Sequence, residues 1–232
     1  MSRQSNKNSI LVLATLGVYF GLVLVGATPQ VLAQAETKTV SPTDQSGVYI
    51  NVRPMKDFAN EALKKLDSRQ VALDNPFNVT ITGTLGLAKD GKAVILTNVK
   101  RGPVPSTGDP ATVKFVEEAI LALADAGWFG YLNKLDSKTI TVSVEQNGQR
   151  VLARVVANQP SSERARATAS GIRSLLQIAA LELKGDDKTI LNSATVGSEG
   201  ADFFVSFEWP NAIFTEIIMN KLSTNAGLKQ TY

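Results

Sequence analysis

The chain has 232 residues, with 24 basic and 21 acidic side chains and a net charge of +3. It contains no cysteine and no histidine, which excludes disulfides, thiolate and imidazole catalysis and the ordinary zinc sites; we therefore predict a non-enzymatic protein without a cofactor or metal. The near balance of charge argues against nucleic acid as a partner, because a phosphate-binding surface needs a clear excess of Lys and Arg.

The first feature of the chain is an uncharged apolar run at residues 10–33, preceded by Arg3 and Lys7. The run is long enough for a helix to cross a hydrocarbon core of about 30 Å, and the basic flank predicts a cytoplasmic amino terminus and export of the remainder. Ala33 and Ala35 fit the rule for signal-peptidase cleavage, whereas the length of the run favours a retained anchor. Residues 1–35 are thus a signal peptide or a single-span anchor that holds the protein in the membrane through residues 10–33.

Beyond this run, the exported part is predicted to lie in the periplasm or on the extracytoplasmic face of the membrane. Residues 36–48 form a short polar tether, residues 49–224 the exported domain and residues 225–232 a loose tail. Residues 53–70 have apolar side chains at helical spacing, which predicts an amphipathic helix lying on the domain. The lysines of this segment leave a membrane-surface helix as the alternative.

Alternating apolar residues predict three antiparallel hairpins. Residues 77–87 and 93–99 form the first hairpin, with Phe77 to Leu87 presenting one apolar and one polar face. Residues 191–196 and 202–209 form the last one, in which the second strand has its aromatic residues on one face. A final helix is predicted after this hairpin.

The middle hairpin is predicted from the dipeptide at residues 147–148, Asn-Gly, which is typical of a two-residue turn with positive φ at both positions. This turn places Val144 opposite Val151 and Glu145 opposite Arg150. In this register the apolar residues face one another, and the opposite charges of Glu145 and Arg150 are paired.

Two further helices are predicted from their capping residues. Asp109 and Pro110 are typical of a helix start, and Gly127 is placed to end that helix. Ser161 is predicted to cap a long helix that Gly185 closes. The chain is therefore an α+β protein, an antiparallel sheet built from hairpins with packed helices, preceded by the signal or anchor. The element order suggests two similar halves, residues 49–147 and 148–224, without a residue-level repeat.

A cluster of aromatic side chains follows Gly127, namely Trp128, Phe129 and Tyr131. Such a cluster either fills the core where a helix meets the sheet or forms a partner-binding patch. These three residues are the first candidate binding site.

Arg164, Arg166 and Arg173 lie along the predicted long helix and are the second candidate site. They form either a solvated face or an anion site, since guanidinium groups prefer phosphate and carboxylate partners.

Residues 79–144 carry a further pattern. It consists of a strand, an Asp90-Gly91 turn, a second strand, a loop of small residues at 106–110, a helix with Ala119 and Ala122, and a closing strand at 139–144. This pattern resembles the carboxy-terminal domain of TonB-type energy transducers, which an uncleaved anchor would also suit. The chain departs from that family in lacking a Pro-rich spacer and in adding residues 149–222. The resemblance implies docking onto a partner strand by edge pairing.

The leading hypothesis is a non-enzymatic, exported or membrane-anchored protein-binding module of the cell envelope. Its partner would be another envelope or membrane protein, bound through a free sheet edge or through the aromatic patch. The alternative is a small-molecule or lipid carrier whose helices close over the apolar face of the sheet. An enzyme that uses lysines and carboxylates is the third hypothesis.

Overall fold

The computed structural model describes residues 49–89, 91, 93–102, 104–182 and 185–216. The apolar run at residues 10–33, the tether at 36–48 and the tail at 225–232 lie outside this part. The helices are α1 (Arg53–Asp67), α2 (Pro110–Asp125), α3 (Gly130–Lys134), α4 (Ser162–Glu182), α5 (Gly185–Asn192) and α6, described over residues 211–216. The strands are β1 (Phe77–Leu87), β2 (Val94–Arg101), β3 (Thr139–Gln146), β4 (Arg150–Asn158), β5 (Ala194–Glu199) and β6 (Asp202–Pro210).

The six strands form one antiparallel sheet in the order β2-β1-β3-β4-β6-β5. Each predicted hairpin is present, and pairing of β1 with β3 and of β4 with β6 joins the three hairpins. The α+β class and the antiparallel sheet are therefore confirmed.

The two halves of the chain contribute three strands each. β3 and β4 meet in the middle of the sheet, β1 and β6 flank them, and β2 and β5 lie outermost. In the first half the central strand, β3, is the last of the three along the chain, whereas in the second half the central strand, β4, is the first. Equivalent strands thus occur in reversed order, whereas a duplicated unit would repeat the same order.

All described helices that bury apolar residues share one core with a single face of the sheet. On that face the strands alternate buried and less buried side chains, as in β3, β4 and β6. Phe203, Phe207 and Ile140 are among the most buried side chains. The opposite face of the sheet is polar and partly solvated, which is the arrangement expected of a two-layer antiparallel fold.

The first hairpin follows its prediction with one correction. β1 alternates as expected at Phe77, Val79 and Ile81, but Leu87, predicted on the apolar face, is 66% exposed. Leu87 is the last residue of β1 and pairs with the first residue of β2, so it lies on the face of Leu85 but at the end of the hairpin. β2 also contains a bulge, in which Asn98 and Val99 together oppose Gly83 and the register shifts by one residue. Asn98 has a φ of 49°, the left-handed conformation found at the first position of one common bulge type.

The register predicted for the middle hairpin is wrong by two residues. Val144 lies opposite Ala153, and Glu145 lies opposite Leu152. The turn is centred one residue later than predicted, since only Gly148 of the Asn-Gly pair has a positive φ. Asn147 instead accepts hydrogen bonds through Oδ1 from the backbone N–H groups of Gln149 and Arg150. A shift of two residues leaves every side chain on its predicted face.

The amphipathic helix at the start of the domain is confirmed as α1, which ends at Asp67 rather than at residue 70. Its apolar side chains pack on α2, where the rings of Phe58 and Phe115 lie 5.3 Å apart. The face that a membrane surface would need is therefore occupied by the core.

The long helix is confirmed with a different end. Ser161 Oγ accepts a hydrogen bond from the Arg164 N–H, as a capping residue does. Gly185, predicted to close this helix, is instead the first residue of α5. Leu191, predicted in the last hairpin, lies within α5 and is buried.

Candidate functional site

The aromatic cluster lies mainly inside the protein. Phe129 and Tyr131 are buried, and Trp128 is half-buried. Tyr131 packs with Ile50 in a small cluster that Val52 and Trp128 complete. Of the two interpretations of this cluster, the structure therefore favours core filling, because its rings are already covered by the chain's own residues.

The covering segment directly precedes α1 and was missed by the sequence analysis. Asn51 donates a backbone hydrogen bond to the Ala126 carbonyl at 2.9 Å. Gly127 has a φ of 84°, and a Cβ atom at this position would lie 2.6 Å from the Tyr49 carbonyl oxygen. Residues 49–52 are thus held against the end of α2 by a close backbone contact that only glycine permits.

The three arginines of α4 do not converge. Arg164 forms an exposed ion pair with Asp136 at 3.2 Å, and Arg166 is exposed. Arg173 donates through Nη2 to the carbonyl oxygen of Val196 at 2.7 Å. Because Val196 lies in β5, Arg173 connects the helical layer to an outermost strand of the sheet.

The pairing of β2 with β1 shows which backbone groups of β2 point outward, away from the sheet. Ala88 donates a backbone hydrogen bond to the Ala93 carbonyl oxygen, so alternate residues from Ala93 onward face β1. Val94 and Leu96 therefore turn their N–H and C=O groups away from the sheet. This edge is interrupted by the bulge at Asn98.

Charged residues follow the bulge in β2. Lys100 is exposed, and Arg101 forms an ion pair with Glu117 of α2 at 3.0 Å. A bulge and basic side chains are two of the devices by which proteins protect an edge from unwanted pairing. The outer edge of β2 is thus protected along half of its length.

The edge of β5 has a different character. Its register with β6 is continuous from Ala194 to Glu199, and its first five residues are small or β-branched and uncharged. A two-residue turn joins Glu199 to Asp202, so Val196 and Ser198 turn their backbone groups outward together with Ala194. The bond from Arg173 to Val196 confirms this direction.

The open face of the sheet carries a stacked pair that the sequence analysis did not single out. The guanidinium carbon of Arg154 lies 4.1 Å from the ring centroid of Phe204, a cation–π arrangement. The ring of Phe204 in turn lies over Gly197, where a Cβ atom would approach it to 2.5 Å. The contact depends on the pairing of β4 with β6, which places Arg154 diagonally opposite Phe204.

A second polar band lies on the same face, over β1 and its neighbours. The hydroxyls of Thr82 and Thr141 are 2.9 Å apart, and those of Thr84 and Thr97 are 3.0 Å apart. These cross-strand hydrogen bonds stabilise the sheet.

The apolar face of the sheet is packed against the helices. Val151, Phe203 and Ile140 are at most 1% exposed and belong to the same core as α1, α2 and α4. These side chains are covered by other protein atoms. Helices that cover the apolar face are also part of the carrier hypothesis, which therefore stays a prediction.

Comparison with protein families, with curated proteins and with solved structures gives no match to this chain. Within the described residues, every helix is too short or too polar to cross a bilayer.

Proposed function

We propose that this chain is a non-enzymatic protein-binding module of the cell envelope, which binds another envelope or membrane protein by adding a strand to an edge of its sheet. Strand addition needs a row of unpaired backbone donors and acceptors at a sheet edge. The observation that carries the proposal is the open sheet, whose outermost strands β2 and β5 each turn backbone groups away from their neighbour.

The proposed docking is TonB-like only in that a partner strand pairs with an edge of the sheet. The closing strand of the resembling stretch falls within β3, which pairs with β1 on one side and with β4 on the other. Within residues 79–144, β2 is therefore the outermost strand, and β5 lies outside that stretch. Any docking by edge pairing must use one of these two strands.

Export and the lack of catalysis are parts of the same proposal. The uncharged run at residues 10–33 supports export, with the protein either anchored or released into the periplasm. The absence of histidine and cysteine from the sequence supports a role in binding, because the most common nucleophiles and general bases are missing.

Site-specific photo-cross-linking of the full-length protein in its native membranes tests this function. A photoreactive residue would replace Thr195 in β5 or Ile95 in β2, both on the open face of an edge strand. Thr141 in the central strand β3 is the matched control, since it lies on the same face away from either edge.

We expect one defined protein adduct from an edge position and none from Thr141. The adduct should be lost when a proline replaces the neighbouring residue whose N–H points outward, which is Ala194→Pro for Thr195 and Val94→Pro for Ile95, and kept with Ala194→Ser or Val94→Ala. Equal adducts at the edges and at Thr141 would contradict strand addition, and the absence of any adduct would contradict a protein-binding role.

A further inference from the structure

We propose that β5 is the docking edge and that its ligand is an extended peptide with an acidic side chain, which Arg173 recognises. This inference rests on the proposed function, since it assumes that a partner adds a strand to the sheet. It assigns the strand, the recognition residue and the chemistry of the ligand.

The first argument is the regularity of β5. A pairing strand needs several consecutive outward N–H and C=O groups at the strand spacing, and Ala194, Val196 and Ser198 supply three such residues without an interruption. In β2 the bulge at Asn98 breaks the corresponding row after Leu96. A peptide can therefore form a longer continuous ladder on β5.

The second argument is the position of Arg173. Its guanidinium donates to the Val196 carbonyl oxygen, the middle one of the three outward residues. A strand that pairs with β5 directs its own N–H group at this oxygen and competes with the arginine for it. The displaced guanidinium then requires a new acceptor, and a carboxylate is a better one than a neutral carbonyl because it adds charge attraction and bidentate geometry.

The third argument is the distribution of charge on the two sides of the edge. A ligand residue opposite Val196 points to the same side as Val196, where α4 lies. On that side Arg166 is exposed two helical turns before Arg173 and adds positive potential. On the open face, Glu199 and Asp202 lie side by side and repel an acidic group, and the nearby Arg154 already pairs with Glu199 at 4.0 Å and stacks on Phe204. An acidic residue is thus favoured only at the ligand positions that face α4.

The test uses the full-length protein in detergent micelles and two synthetic peptides with blocked ends. Each has seven residues, with threonine on one face and valine, glutamate and valine on the other; the twin has glutamine in place of glutamate. Affinity is measured by fluorescence anisotropy, and the docking strand is located by hydrogen exchange. We expect slower exchange of the β5 amides and about tenfold tighter binding of the glutamate peptide.

Variants of Arg173 separate recognition from folding. In Arg173→Ala the glutamate peptide should lose its advantage, while the glutamine peptide binds at least as tightly as to the natural protein, because no side chain has to be displaced. Arg173→Lys should keep part of the preference. Arg164→Ala, on the same helix but paired with Asp136, is the matched control and should behave like the natural protein.

Other outcomes overturn the inference in distinguishable ways. Slower exchange in β2 alone, or equal affinities for the two peptides, contradicts the role of β5 or of Arg173 and leaves strand addition standing. Self-association of Arg173→Ala in light scattering, without peptide binding, identifies a second copy as the occupant. Failure of both peptides to protect either edge contradicts strand addition itself.

Discussion

Gln146 accepts a hydrogen bond through Oε1 from the backbone N–H of Gly148 at 2.7 Å. Its Nε2 donates to the carbonyl oxygens of Asp74, at 2.9 Å, and of Leu73, at 3.3 Å. The side chain is only 2% exposed. One buried amide thus ties the turn between β3 and β4 to the segment that precedes β1, and three of its four hydrogen-bonding positions are used.

Replacement of this amide by an apolar group should destabilise the fold. In Gln146→Leu the N–H of Gly148 and the carbonyl of Asp74 lose a buried partner, and we expect a loss of about 1–3 kcal/mol in the free energy of unfolding. Urea denaturation followed by circular dichroism measures this loss.

Gln149→Leu is the matched control for this variant. Gln149 lies in the same turn but is exposed, so its replacement should change the stability by less than about 0.5 kcal/mol. Similar losses for the two variants would show that the turn tolerates leucine poorly and that the hydrogen bonds of Gln146 contribute little.

The parts of the fold that the sequence predicted correctly depend on neighbouring residues. The alternation in β6 places Phe203 and Phe207 on one face whatever the rest of the chain does, and both are buried. Asp109 caps α2 through a contact three residues away. Periodicity and capping chemistry are sufficient for such features because the interacting groups are close in sequence.

The errors and omissions arise from contacts between distant residues. The bulge at Asn98 depends on how β2 pairs with β1, and the sequence pattern of β2 alone does not predict it. Arg173 was identified as an anion-binding candidate, but its acceptor lies in a strand 23 residues later. The segment that covers Tyr131 precedes it by about eighty residues. Periodicity shows which face of an element is buried and does not show what covers it.

Gly127→Ala should release the segment that covers Trp128. The alanine would have to adopt a φ of 84° and place its Cβ atom 2.6 Å from the Tyr49 carbonyl oxygen. We expect a loss of about 2 kcal/mol in stability from the left-handed conformation and the displaced backbone. Because the chain has two tryptophans, Trp128 and Trp209, a red shift of the emission should accompany the loss.

Gly171→Ala is the control for the change of residue type. Gly171 lies within α4, and a Cβ atom there meets open space. Since alanine is the better helix former, this variant should be more stable by about 0.5–1 kcal/mol and keep the natural emission. An unshifted emission and unchanged stability in Gly127→Ala would contradict the close backbone contact.

The ion pair between Lys65 and Glu118 should make stability fall at high pH. Lys65 Nζ lies 2.8 Å from Glu118 and 3.0 Å from Glu61, and the hydrogen bonds to these two carboxylates raise the pKa of Lys65 above its ordinary value of 10.5. Below pH 10.5 the ammonium is charged in the folded and the unfolded chain, and its stabilisation is complete. As the pH rises through the folded-state pKa, this stabilisation is lost.

Thermal unfolding between pH 9 and pH 12 checks this dependence. Lys65→Met should reduce the fall in melting temperature over this range, whereas Lys64→Met, at an exposed position of the same helix, should retain it. A double-mutant cycle of Lys65 and Glu118 should give a coupling of about 0.5 kcal/mol, in the range of partly exposed pairs. Parallel pH profiles for the two lysine variants would contradict a role for this ion pair.

The start of α2 allows the hydrogen bond of a cap to be separated from its charge. Asp109 Oδ2 accepts hydrogen bonds from the Thr112 N–H at 2.9 Å and from its hydroxyl at 3.1 Å. Asp109→Ala removes the oxygen that accepts both hydrogen bonds and the charge as well, so it should cost about 1 kcal/mol at low salt and keep most of this cost at high salt. Asp109→Asn keeps an acceptor oxygen and loses only the charge at the positive end of the helix dipole, so its smaller cost should disappear as salt is added. Chemical denaturation by urea at several salt concentrations distinguishes the contribution of the hydrogen bonds from that of the charge. If Asp109→Asn were as unstable as Asp109→Ala at every salt concentration, the carboxylate would act through a contact other than this cap.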